Sequence, residues 1–189
     1  MNLEKLRDQI YYQHDVECNQ KYGGSLPYST HLKFVEAQGE KFIHLISDGY
    51  VENKDNMFSD DVAYKNIIRL ALTAHDAQED ARMSYNDIKK LASNLGNTIA
   101  GEVVADIIYA VTDEKGKNRS ERKSEKYYKE LKENKLAVFV KLADLSANTL
   151  FSKLTGNSMY EKYKKEFPKF KEKVYIKEYE DFFNYVENL

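Results

Sequence analysis

The sequence predicts an all-α protein, a helical bundle. Only two prolines, Pro27 and Pro168, are present to break helices, and none falls in the long stretch between them. Apolar residues recur at helical spacing. Ile99, Val103, Val104, Ile107, Ile108 and Val111, for instance, share one face of a helix. No long stretch alternates β-branched and polar residues, so the period-two signature of strands is missing.

This patterning places helices near 2–17, 30–47, 60–78, 84–95, 98–112, 119–133, 135–152, 157–167 and 176–188. Gly23-Gly24-Ser25-Leu26-Pro27 reads as the loop after the first helix, and His31 opens the second after the turn Pro27-Tyr28-Ser29-Thr30. The third runs from Val62 through Ala74 and into His75-Asp76-Ala77-Gln78. Ser84 is a candidate cap for the fourth, with Asp87 at its third position, Ile88, Leu91, Ala92 and Leu95 at helical spacing, and Gly96 as the stop. Thr112 to Asn118 reads as a charged loop around Gly116. The Lys/Glu-rich stretches 119–135 and 161–173 read as solvated helix faces with i, i+4 pairing. The helix from 135 begins with the strongly apolar Leu136-Ala137-Val138-Phe139-Val140. At the end, Tyr175, Tyr179, Phe182, Phe183 and Tyr185 fall at helical spacing and read as a packing face.

A chain of 189 residues fits one domain, 1–189, able to bury a core without staples. Its 42% hydrophobic and 32% charged residues are those of a soluble globular protein. Lys plus Arg total 29 against 31 Asp plus Glu, which argues against a binder of nucleic-acid polymers, since these carry a basic excess. The one cysteine, Cys18, cannot form an internal disulfide and has no catalytic histidine at a recognisable spacing. With no apolar run of transmembrane length and no signal-peptide core, the expected location is the cytoplasm, away from membranes.

The chemistry concentrates in His75-Asp76-Ala77-Gln78-Glu79-Asp80. On a continuous helix, at 100° per residue, His75, Asp76, Glu79 and Asp80 would fan over about 140°. Burying unpaired carboxylates costs several kcal/mol, which a bound cation would remove. Farther on, Lys141, Asp144 and Asn148 project from one face of a core helix and need partners there. Together with His31, two histidines and two aspartates would supply a mixed nitrogen and oxygen shell for one divalent ion. His14 and His44 stand outside this set and read as surface or satisfied core histidines.

The order His31, His75-Asp76, Asp144 resembles the H…HD…D signature of HD-domain metal-dependent phosphohydrolases. Pro27-Tyr28-x-x-His31, His75-Asp76-x-x-Glu79-Asp80 and Val140-Lys141-Leu142-Ala143-Asp144-x-x-x-Asn148 look like the hydrolase domain of the RelA/SpoT alarmone enzymes, above all the stand-alone metazoan SpoT homologue type. Val111-Thr112-Asp113-Glu114-Lys115 and Glu121-Arg122-Lys123 add to that likeness, and Met159 to Glu166 resembles the tails of small phage and bacterial HD hydrolases. The resemblance covers about 27–150, leaving 157–188 as C-terminal helices. It implies an HD-type bundle in which His31, His75, Asp76 and Asp144 hold one ion, Mn²⁺ in the alarmone group, while Glu79 and Asp80 orient and deprotonate the attacking water. It implies a small-molecule nucleotide substrate contacted by Asn148, with Lys141 holding the helix or meeting phosphate, Lys21 the one basic residue in the nucleotide-gripping segment, and Lys115, Arg119, Arg122 and Lys123 as candidate phosphate cations. The expected activity is removal of pyrophosphate from the ribose 3′-oxygen of (p)ppGpp-like alarmones.

The base-gripping segment departs from the family. An Arg-Lys pair and a glycine usually precede the Pro-Tyr, where this chain has Lys21-Tyr22-Gly23-Gly24-Ser25-Leu26. Thr30, Leu32, Leu145 and Ala147 also differ from the usual residues. These departures keep open an HD hydrolase of other nucleotides, such as a 5′-nucleotidase or an adenine-alarmone enzyme, and a non-catalytic nucleotide-binding or antitoxin-like protein.

Overall fold

The computed structural model describes residues 2–46, 61–113 and 124–189, with the side chains of 61–63 excepted. Lys115, Arg119, Arg122 and Lys123, most of the charged loop, and the start of the helix expected at 119 lie outside the described residues.

The elements are α1 (Leu3–Tyr12), β1 (Lys21–Tyr22), β2 (Leu26–Pro27), α2 (Ser29–Phe42), α3 (Asp61–Ala74), α4 (Ala77–Asp80), α5 (Tyr85–Ala92), α6 (Thr98–Val111), α7 (Glu125–Glu133), α8 (Lys135–Leu154), α9 (Met159–Val174) and α10 (Glu180–Glu187). The all-α expectation holds. Among the described residues no helix is long and apolar enough to cross a membrane.

Short polar side chains start these helices by satisfying backbone N–H groups that have no partner within the helix. Asn2, Asn97, Ser124 and Asn134 accept from the third residue onward, and Ser84 with Asp87 forms the full capping box that the sequence predicts. α6 buries Ala100, Val104, Ala105, Ile107, Ile108 and Val111, with Ile99 and Val103 at the edge of that face.

The centre of the bundle is α8, which packs against α2, α3, α6, α7, α9 and α10. Its first half is apolar all round and buried, as expected of a helix with neighbours on every side. α2 and α3 lie close together because Gly39 faces Leu72. A Cβ on Gly39 would stand 2.5 Å from Leu72 Cδ1, so any side chain there would force the buried Leu72 side chain or the two helices to shift.

Five expectations need correction. The first helix does not run evenly to 17. After Tyr12 it widens into a π turn, Gln13–Glu17, which buries His14 and brings Asp15 Oδ1 to 2.9 Å from Ser29 N at the head of α2. The segment 23–27 is part of a tight antiparallel hairpin, pairing Lys21 with Pro27 and Tyr22 with Leu26. Gly23 turns it at φ +57°, in the left-handed region.

The third helix stops at Ala74, so the continuous-helix fan of His75 to Asp80 is wrong. His75 Nδ1 lies 2.9 Å from the Leu72 carbonyl, an acceptor the continuing helix would use, and the chain turns at His75-Asp76 before α4. Finally, Pro168 does not end its helix, and α9 continues to Val174. Pro168 and Lys164 are both exposed, so the Lys164 carbonyl that loses its donor faces water, while Phe167, Phe170 and Val174 stay buried. The solvated-face expectation for 119–135 also needs trimming, since Tyr127, Tyr128 and Leu131 are buried.

Candidate metal centre

Two helices and one turn bring the centre together. His31 comes from the first turn of α2, His75 and Asp76 from the break after α3, and Asp144 from the middle of α8. All four are buried or nearly so. His31 Nε2 and His75 Nε2 stand 3.2 Å apart. Asp76 Oδ2 lies 2.9 Å from His75 Nε2 and 3.3 Å from His31 Nε2. Asp144 Oδ1 is 3.5 Å and 3.7 Å from the same nitrogens.

These spacings suit a common ion. Two ligands about 2.1 Å from a metal and at right angles to each other stand about 3.0 Å apart. His31, His75 and Asp76 alone already offer a cluster able to hold an ion. The protonation pattern points the same way. The short contact between His75 Nδ1 and the Leu72 carbonyl places the ring proton there and turns the Nε2 lone pair toward the two carboxylates and His31. Without an ion, a second proton must separate these facing acceptors. Burial opposes charge on His75, but Asp76 and Asp144 outweigh it and raise the imidazole to about 9. Against the same burial, His75 and His31 hold Asp76 well below the ordinary carboxylate range.

Asp144 is held from two sides. Lys141 Nζ sits 2.9 Å from Oδ2, and Asn148 Nδ2 donates to Oδ1. Asn148 Oδ1 in turn accepts from Tyr22 Oη at 3.1 Å. Burial works against the Lys141 charge, and Asp144 first among its neighbours raises it well above the ordinary lysine range. Lys141 and Asn148 therefore brace Asp144 in this structure. Lys21 is exposed on β1.

The acidic pair divides. Asp80 Oδ2 is 2.9 Å from Tyr28 Oη, whose other contact is Asp76 Oδ2 at 2.6 Å. Glu79 Oε1 accepts the Asp113 N–H at 2.6 Å. Burial, opposed chiefly by the Lys141 charge, lifts the Glu79 carboxyl to about 7. A carboxyl at that value exchanges protons near neutral pH, as a general base requires.

Sequence reasoning left Tyr28 and Tyr22 without roles. Tyr28 was visible only as part of the Pro-Tyr pair, and nothing local to Tyr22 announces a partner 126 residues away. The hairpin lays the Tyr22 ring 4.7 Å from His31 and 4.3 Å from Phe151, roofing the centre. His14 is core, as expected. It is stacked on Tyr28 at 4.9 Å, with Nδ1 2.6 Å from Gln20 Oε1, and burial lowers its pKa. Searches of protein-family models, curated proteins and solved structures find no match to this chain.

Proposed function

We propose that the protein is a metal-dependent nucleotide phosphohydrolase of the HD type that removes pyrophosphate from the ribose 3′-oxygen of (p)ppGpp-like alarmones. The observation that carries this reading is the convergence of His31, His75, Asp76 and Asp144 at ligand spacing, in the order in which the resemblance requires them. These four residues would hold one divalent ion, with Mn²⁺ the expected metal. Such an ion would acidify water and offset phosphate charge.

In this reading Asp80, anchored by Tyr28, orients the attacking water, and Glu79 accepts its proton as the water oxygen bonds to phosphorus. The bond from that phosphorus to the 3′-oxygen breaks, pyrophosphate leaves, and the 3′-oxygen takes a proton from solvent. Lys141 adds fixed positive charge beside the reacting phosphates.

The test is pyrophosphate release from ppGpp by metal-stripped protein with and without Mn²⁺. Release only with Mn²⁺, lowered at least about 100-fold in Glu79→Gln, is the expected result. Orthophosphate release from a nucleoside monophosphate would instead assign a 5′-nucleotidase. Binding of ppGpp without turnover would assign a sensor.

A further inference from the structure

Tyr28 occupies an unusual position in this centre, where one phenol oxygen touches two carboxylates. Its Oη is 2.6 Å from Asp76 Oδ2, the same oxygen that faces both histidine nitrogens, and 2.9 Å from Asp80 Oδ2. One hydroxyl proton lies between two acids that would otherwise face each other unscreened.

The ring is aimed by packing on several sides. It stacks on His14 at an interplanar angle of 9°, and meets His31 edge-on at 5.4 Å and Tyr22 edge-on at 6.4 Å. The backbone of Tyr28 is engaged as well. Its carbonyl accepts from His31 N at 2.9 Å and Leu32 N at 3.3 Å, forming the first turn of α2. A single residue thus fixes the backbone that carries His31 and the side chain of Asp76, which lies 48 residues away.

We infer that Tyr28 is the positioning residue of the centre, setting the register between His31 and Asp76 as ligands and holding Asp80 apart from them as the water-orienting acid. This rests on the proposed metal-dependent reading. It also gives a role to the tyrosine of the Pro27-Tyr28 pair. In this arrangement the hydroxyl turns one Asp76 oxygen to the histidine nitrogens and keeps Asp80 out of the ligand set. Groups just beyond the ligands that orient them commonly change metal affinity 10- to 100-fold when removed, on the order of what is expected here.

The experiment is calorimetric titration of Mn²⁺ into metal-stripped wild type, Tyr28→Phe, Asp80→Asn and Tyr11→Phe, with circular dichroism as the check on folding. Tyr28→Phe keeps the stacked ring and loses only the hydroxyl. It is expected to weaken Mn²⁺ binding about 10- to 100-fold and to lower kcat with KM little changed. Asp80→Asn is expected to lower kcat while its Mn²⁺ affinity stays within about threefold of wild type, because it is not a ligand. Tyr11→Phe removes a comparably short hydroxyl-to-carboxylate bond, to Glu36 at 2.6 Å, outside the centre, and should bind Mn²⁺ as wild type does. Wild-type affinity in folded Tyr28→Phe would overturn the role of Tyr28 and leave the metal centre standing. Equal losses in Tyr28→Phe and Asp80→Asn would make Asp80 a ligand and overturn the division of roles. A wild type that binds no divalent ion would overturn the metal reading, and the Tyr28 inference with it.

Discussion

The two halves of α8 are both buried, but for different reasons. From Leu136 to Val140 the helix is apolar and packs into the C-terminal aromatics, with Phe139 at 5.6 Å from Tyr179 and 5.4 Å from Phe182. Phe182 also stacks on Phe42 at 4.1 Å. From Lys141 to Asn148 the same helix carries an ammonium, a carboxylate and an amide into the interior. The first half is stabilised by area removed from water and by close packing, which need no partner of a given charge. The second half is stable only if each charge has its counterpart, because a buried unpaired ion costs far more than a lost contact. Apolar packing and the candidate metal centre thus sit on successive turns of one helix, and substitutions in the two halves should behave differently.

The largest effect on folding belongs to the apolar half. Phe139→Ala should cost about 3–5 kcal/mol in urea unfolding, with or without divalent ion. A cost that changed greatly with Mn²⁺ would mean that the two halves are coupled and would weaken the comparison.

The next effect comes from Glu79. Its folded-state value of about 7 lies above the ordinary 4.5, so the folded protein holds the proton more tightly. Between those values wild-type stability falls as pH rises, because the folded state must surrender a proton that the unfolded chain has already lost. Glu79→Gln removes this penalty. Its stability relative to wild type should rise across that window by up to about 3 kcal/mol in metal-free protein, as read from urea midpoints at several pH values. A difference that stayed flat with pH would place Glu79 among ordinary exposed carboxylates.

Metal should act on the polar half alone. At 100 times its dissociation constant, Mn²⁺ should stabilise wild type by about 2.7 kcal/mol, a rise of roughly 5–10 °C in melting temperature. His75→Ala should abolish that rise while remaining folded. Smallest of all, Lys135→Ala removes an exposed pair with Glu178 at 2.7 Å and should change stability by no more than about 0.5 kcal/mol.

The apolar half was the more legible in the sequence. Helical spacing, the Ser84 capping box and the aromatic tail are local signals, and the structure uses them nearly as written. Among the polar residues, identity and order were legible and geometry was not. His75 and Asp76 stand in a turn because an imidazole takes the Leu72 carbonyl, a competition that helical periodicity does not register. Pro168 marked a stop by its chemistry alone, but its position on the solvent face let α9 pass through. The reach of Tyr22 to Asn148 depends on the hairpin turn at Gly23 and on tertiary packing, neither of which leaves a repeating pattern.

The wide spacing of the centre along the chain has a consequence for how it is made. His31 and His75 are 44 residues apart, and the Tyr22 to Asn148 bond spans 126. Contacts this distant in sequence close large loops and are made late in folding, after neighbouring helices have paired. During synthesis His31, His75 and Asp76 emerge well before Asp144, so an early ion would meet an incomplete set of donors. In the proposed metal-dependent reading, the four-residue donor set is therefore complete only once Asp144 has been made and packed against the other three.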